Sequence, residues 1–245
     1  MATSASTLRR HGSILPGGRG VVISALHPAA RYGNSIFPSR VYDPDEVGRV
    51  IKDGHQSRKI GKFATKGARK GWPIFTLTLE ERATCPRTCS AWSYCYGNNM
   101  QAAERITSGE NLEAALGKEL LALQRDHPAG FMLRLHILGD FYSVDYVRFW
   151  REALKRYPAL HIFGFTARLP GSEIGDALWH LAGQDWSRFA VRFSGANLPA
   201  RAAETLDSFG DSQSVPCPAQ TGATDCCATC GLCWHSERSI AFLRN

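Results

Sequence analysis

The sequence predicts an α/β protein: a parallel sheet forming a partial (β/α) barrel, with an irregular cysteine-rich C-terminal tail and an N-terminal arm. Two observations predict the core. Short β-branched and aromatic runs alternate with stretches of helical periodicity, the pattern of repeated βα units that build parallel sheets. Polar or metal-binding residues follow each run, as expected where a parallel sheet presents its C-terminal edge. A third observation sets off the tail, where apolar periodicity fades while cysteines concentrate. The resulting division is an arm and basic loop over residues 1–71, an α/β core over 72–211 and a metal-binding tail over 212–245.

In chain order, residues 1–41 are rich in Gly, Ser, Pro and Arg and show no sustained periodicity apart from Gly20–Leu26, read as a short strand. Asp43 and Pro44 look like the cap and first turn of a helix. Trp72–Leu79 reads as the first strand, with β-branched and aromatic residues behind a turn signal. The segment Asn98–Ile106 is read as helical. Ser108 is then read as the cap of a longer helix with Leu112, Ala115, Leu116, Leu120 and Leu123 on one face. Gly130–Leu138 is the second strand, ended by Gly139 and Asp140. Ser143 caps a helix carrying Val147, Trp150 and Leu154 at helical spacing, and Pro158 stops it. Leu160–Thr166 is the third strand, Glu173–Ala182 a helix and Phe189–Ser194 the fourth strand.

The chain has 245 residues and a net charge of +7, ample for a full core without disulfides. No apolar run is long enough to span a bilayer, and Arg9 and Arg10 are not followed by an apolar core with a cleavage site, so a cytoplasmic protein is expected. In a reducing compartment clustered cysteines point to metal more than to disulfides. The densest basic run, residues 58–70, is a candidate contact for phosphate or nucleic acid, with a solvated loop as the ordinary alternative.

Every cysteine falls in one of two groups. Cys85, Cys89 and Cys95 share one loop after the first strand. Thiolates select soft metals, chiefly zinc and iron–sulfur clusters. A structural zinc takes four ligands, whereas a 4Fe-4S cluster held by three cysteines leaves one iron open, so three thiols at a sheet edge suggest a working cluster. The tail offers Cys217, Cys227, Cys230 and Cys233, with the short spacings of ferredoxin cluster loops and one distant partner. Cys226 is spare or replaces Cys227, and zinc is the alternative here too. The other strand ends contribute Gly139 and Asp140, then Thr166 and Arg168, then Ser194 and Asn197. Singly these are ordinary turn residues; together they outline a pocket. Asp140 is the best candidate for a polar functional residue beyond the cysteines. His136 reads as a core or cleft histidine rather than a ligand, and His235 as a partner to the tail ligands. Tyr142, Tyr146 and Trp150 read as packing residues.

The cysteine loop, Leu135–Phe141, Phe165-Thr166 and Cys230–Trp234 resemble the phage-encoded "gene product eighty-eight" domain family, from about Trp72 onward. More distantly the arrangement resembles the radical S-adenosylmethionine enzymes. That resemblance implies a 4Fe-4S cluster on Cys85, Cys89 and Cys95, with Tyr94 as the aromatic residue before the third cysteine. It also implies that Gly139 and Asp140 hold the amino group of S-adenosylmethionine. The loop differs from the usual one in the longer stretch Ser90–Tyr94 between its second and third cysteines. The expected function is thus an iron–sulfur enzyme of radical type, with one or two 4Fe-4S clusters, an electron donor as partner and an unassigned substrate. Thr166, Arg168, Ser194 and Asn197 would line its pocket. The competing readings are a zinc-stabilised nucleic-acid-binding protein and an iron–sulfur protein without radical chemistry.

Overall fold

The computed structural model describes residues 20–57, 59–195, 197–210 and 212–244. Residues 1–19 of the expected arm, with Arg9 and Arg10, and Arg58 of the basic run lie outside the described residues.

The elements run as follows: α1 (Pro28–Tyr32), β1 (Val41–Tyr42), β2 (Lys52–Asp53), β3 (Ile74–Thr76), β4 (Arg105–Ile106), α2 (Glu110–Asp126), β5 (Phe131–Leu135), α3 (Val144–Arg156), β6 (Leu160–Thr166), α4 (Glu173–Gln184), β7 (Phe189–Ser194), β8 (Ala202–Leu206), β9 (Val215–Pro216), α5 (Pro218–Thr221), α6 (Cys227–Cys230), α7 (Leu232–His235) and β10 (Ile240–Leu243). An eight-stranded sheet has the order β2-β3-β5-β6-β7-β8-β10-β9. All its pairings are parallel except the edge pair β2–β3. β1 and β4 form a separate parallel pair.

Strand alternation sorts the sheet into two faces. On one face Phe131, Leu133, Leu135, Leu160, Ile162, Phe189, Val191 and Phe193 pack with the buried sides of α2, α3 and α4 into the main core. Leu112, Leu116, Leu120 and Leu123 of α2 and Val147, Trp150 and Leu154 of α3 are buried there, as their helical spacing predicts. On the other face Met132, Phe163 and Ala190 pack with Ile60, Ala64, Ala228 and Trp234, so the cysteine-bearing tail covers that side.

β6 and β7 have the bounds read from sequence, and Ser143 caps α3 by accepting the Tyr146 N–H at 3.0 Å. Other readings are corrected. Gly20–Leu26 forms no strand; its donors turn singly to the cysteine loop, Ile23 N to Ser93 O at 2.9 Å and Val21 N to Asn99 Oδ1 at 3.2 Å. Asn98–Ile106 is not one helix: Asn98 and Asn99 end a single 3-10 turn, Tyr96–Asn99, and Arg105–Ile106 is the strand β4. The backbone makes single tight turns there, Met100 N to Gly97 O at 3.0 Å and Ala103 N to Met100 O at 3.1 Å, and the Arg105 guanidinium bonds the carbonyls of Gly97, Met100 and Ala103 in addition. Gly109, at φ 130°, rather than Ser108, stands at the cap of α2. The first strand shortens to Ile74–Thr76, and the second ends at Leu135, which leaves His136 just past it. The segment after Ser212 is more regular than its composition predicts. β10 lies between β8 and β9 in the main sheet, joined to β8 from Ile240↔Ala203 to Leu243↔Leu206.

The β7–β8 junction positions the site. Parallel neighbours normally need a long crossover, yet only a short stretch joins Ser194 to Ala202. The two strands accordingly overlap at only Phe193↔Ala202 and Ser194↔Ala203. β8 and β10 therefore run on beyond the C-terminal edge of β5, β6 and β7 and stand as a wall beside it.

Candidate functional site

A cleft of about 220 Å³ opens at the C-terminal edge of β5, β6 and β7. Cys85, Cys89, Tyr94 and Cys95 line one side, and Gly139, Asp140, Thr166 and Ser194 follow from the strand ends. Ala203, Thr205, Phe242 and Leu243 of the β8–β10 wall close it opposite. Two expected lining residues are elsewhere. Asn197 is exposed and outside the cleft. Arg168 is spent on structure: its Nε donates to Phe141 O at 2.9 Å and its guanidinium to Thr84 O at 2.7 Å.

The cysteine loop is fixed by side chains at both ends. Thr84, just before Cys85, donates to Glu80 O at 2.8 Å and accepts the Asp140 N–H at 3.0 Å. Farther along, Arg82 donates to Trp92 O at 3.1 Å and Asn98 Oδ1 at 2.6 Å, and Asn98 donates to Ser93 O at 3.1 Å. Under the loop, Arg105 and Glu81 form an ion pair of 2.8 Å with both side chains fully buried. Arg87 and Trp92 tie the loop to the arm, both donating to Ala30 O. A loop so restrained can hold three thiols in place before any ligand arrives.

Asp140 is more occupied than its sequence context shows. Its carboxylate accepts the Phe141 N–H, the Thr166 hydroxyl and the Ala167 N–H, each at 2.7 Å. Of about four lone-pair directions on a carboxylate, these leave room for one further donor. Burial raises its pKa to about 6 against the pull of those bonds. Gly139 also has a packing reason. It sits at φ 83°, and a Cβ there would stand 2.6 Å from both Leu79 Cβ and Thr84 Oγ1. Its lack of a side chain is required by the loop contact.

Four further residues line the cleft without having been assigned to the pocket from the sequence. Lys59 enters from the basic run, with its Nζ 5.9 Å from the Tyr96 ring centre and 6.0 Å from that of Phe242. Arg134 lies on β5, buried, over Phe165 at 4.5 Å. Tyr96 follows Cys95. His136 is buried with Nε2 3.1 Å from the Tyr146 hydroxyl, and burial beside Arg134 lowers its pKa to about 3, so it is neutral. For Arg134 the available signal was a charged residue inside the otherwise apolar buried strand Phe131–Leu135.

The second group of cysteines forms a separate, nearly closed site. Cys217, Cys227, Cys230 and Cys233 line a small void with Leu232, Trp234 and Ile240. Cys226 is outside it, against Gly61 and with its sulfur 3.7 Å from Thr229 Oγ1. His235 also lies outside, its Nδ1 3.5 Å from Arg69. No disulfide joins any of the eight cysteines. Burial pushes the thiols up, Cys95 and Cys233 to about 11 and Cys227 to about 12, so these sulfurs are poor thiolates without a cation to stabilise them.

Among the described residues, no three His, Cys, Asp or Glu side chains are gathered tightly enough for one metal ion. A cluster makes a different demand, since its ligands surround a cube of atoms instead of a point. Buried donors without partners supply the test of fit. Arg192 Nε and Trp234 Nε1 have none. Trp234 lines the tail void, and the Arg192 guanidinium can bond the Cys233 sulfur as a thiolate. Unpartnered N–H groups beside four thiols suit a negatively charged sulfur centre.

The basic run divides. Lys59 turns into the cleft and Arg69 is buried, while Lys62, Lys66 and Lys70 face solvent. No helix among the described residues is long and apolar enough to cross a membrane. In comparisons with known proteins, no family model, no curated protein and no solved structure matches this chain.

Proposed function

We propose that this chain is an iron–sulfur enzyme of the radical S-adenosylmethionine type, with a 4Fe-4S cluster on Cys85, Cys89 and Cys95 and a second on Cys217, Cys227, Cys230 and Cys233. The observation that carries the reading is convergence. Three cysteines from one loop and polar residues from three successive strand ends border one cleft at the C-terminal edge of a parallel sheet. The resemblance of the cysteine loop and the Gly139-Asp140 turn to those enzymes supports it. So does the placement of α2, α3 and α4 on a single face, as in a sheet curled into a partial barrel.

When bound, such a cluster supplies one-electron reduction, which in the enzymes it resembles cleaves S-adenosylmethionine and yields a carbon radical. The chain's own residues then have defined work. The side-chain anchors at Thr84, Arg82, Asn98 and Arg105 hold the thiols apart and facing the cleft. Asp140 offers its remaining lone pair to an ammonium group while three bonds fix its position. Phe165, Phe242 and Leu243 exclude water from the reacting space.

Anaerobic purification followed by iron, acid-labile sulfide and zinc analysis tests the reading. The expected protein is brown, with iron and sulfide in equal amounts and S-adenosylmethionine altering the electron paramagnetic resonance spectrum of the reduced cluster. Stoichiometric zinc without iron after reconstitution would reject it. An intact cluster indifferent to saturating S-adenosylmethionine would leave an iron–sulfur protein of another kind.

A further inference from the structure

Lys59, Tyr96 and Arg134 line the cleft together, and their donor groups are largely unanswered. Among the described residues the Lys59 Nζ makes no hydrogen bond and no salt bridge, and the Tyr96 hydroxyl has no partner. Arg134 gives one N–H to Leu135 O at 2.8 Å and forms no salt bridge there either.

Aromatic rings hold the three in one neighbourhood. The Lys59 Nζ lies 5.9 Å from the Tyr96 ring centre and 6.0 Å from that of Phe242. Phe242 meets Phe165 edge-on at 5.4 Å, and the Arg134 guanidinium lies 4.5 Å from the Phe165 ring centre. The two cations thus flank one aromatic pair, Phe165 on β6 and Phe242 on the β8–β10 wall. Desolvation in the cleft lowers the Lys59 pKa, and the like charge of Arg134 lowers it further. Burial raises the Tyr96 pKa, which keeps the phenol protonated and able to donate.

The one carboxylate lining the cleft does not pair with them. Asp140 is engaged by Phe141, Thr166 and Ala167 and makes no salt bridge with either cation. A guanidinium fork matches two oxygens of a carboxylate or a phosphate, and an ammonium adds a point charge. Beside apolar ring surface such charge-assisted bonds are stronger than in open water.

We infer that Lys59, Arg134 and Tyr96 form a seat for an oxyanion, a carboxylate or phosphate group carried by the substrate of this cleft. This rests on the reading of the cleft as the active site of the proposed enzyme, and it gives that enzyme a substrate class: a small organic acid or phosphate ester. The anionic end docks on the three donors, the apolar part lies against Phe165 and Phe242, and Asp140 keeps its remaining lone pair for an ammonium group.

The experiment is calorimetric titration of the anaerobic, reconstituted full-length chain with benzoate, phenyl phosphate and neutral benzamide, each with and without saturating S-adenosylmethionine. One or both anions should bind saturably and benzamide should not; the tighter anion identifies the oxyanion. Lys59→Gln should weaken anion binding by about tenfold, while Lys59→Arg binds like the parent. Arg134→Lys keeps the charge but loses the fork, and should also weaken it. Circular dichroism checks that each variant is folded. Absence of saturable anion binding to the parent overturns the inference, as does equal binding of benzamide or an unchanged affinity in Lys59→Gln. Competition between the anions and S-adenosylmethionine, with binding of the latter weakened in the same variants, would give the seat to that molecule's own carboxylate and overturns it too. So would loss of loop iron in Lys59→Gln, which would make Lys59 a counterion of the cluster. A parent protein holding zinc or no metal is a failure of the underlying reading, seen in the metal analysis, and the anion titration of that same sample still decides the seat.

Discussion

His136 shows how a single environment decides a role. Its ring is buried against Tyr146 and near Arg134, and its pKa falls to about 3 from the usual 6.5. Between those values the unfolded chain binds a proton that the folded chain does not. This contribution to stability is therefore present above pH 6.5 and is lost as pH falls toward 3. Urea denaturation at about pH 7 and about pH 5 should show a smaller acid loss in His136→Gln than in the parent, by about 2 kcal/mol. An equal loss in both would mean that His136 is protonated in the fold. Asp140 was visible in the sequence as the polar residue after a strand, but its three bonds to its own chain were not, because Thr166 and Ala167 arrive from a different strand. Asp140→Ala strands those donors and should lower stability by about 2 kcal/mol or more, read as a fall in the denaturation midpoint with the iron content measured in parallel.

Elements whose identity rests on local pattern were legible, and those that depend on distant partners were not. β6, β7, α3 and α4 announce themselves by local residue pattern, with Ser143 at the cap of α3; the structure adds Ser172 at the cap of α4. β8 and β10 do not. Ala202–Leu206 and Ile240–Leu243 are short, and they are strands because each finds the other across a separation no sequence window spans. The stretch from Asn98 to Ile106 misleads for a related reason, since its end, Arg105–Ile106, is a strand paired with the distant Val41–Tyr42. The Arg105–Glu81 pair should be a principal anchor of the cysteine loop. Arg105→Met leaves Glu81 buried without its main ion-pair partner and removes a donor from three carbonyls, so a loss of about 3–5 kcal/mol is expected, with less iron retained in the loop site than in the tail site. Equal retention in both sites would show that the loop holds its shape without this anchor.

At the scale of the molecule, the two cysteine groups were plain in the sequence as groups, and the structure keeps their voids separate. The cations beside them were not legible, because Lys59 and Arg134 in the cleft and Arg192 against α7 come from a loop and two strands scattered over more than half the chain. Replacing Cys85, Cys89 and Cys95 together should remove about half the iron and leave the tail centre's spectrum in place; loss of both signals would point to one jointly built centre. The same sheet that separates the sites also carries a built-in offset. The span from Ser194 to Ala202 is too short to bring β8 level with β7, so β8 and β10 stand forward and form the far side of the cleft. Cleft depth is in this sense a matter of tether length. A longer tether would let the forward strands slide back in register and open the basin to solvent, while a shorter one would thrust them outward. The width of the basin is thus written in the connection between two strands, apart from the spacing of the cysteines in their own loop.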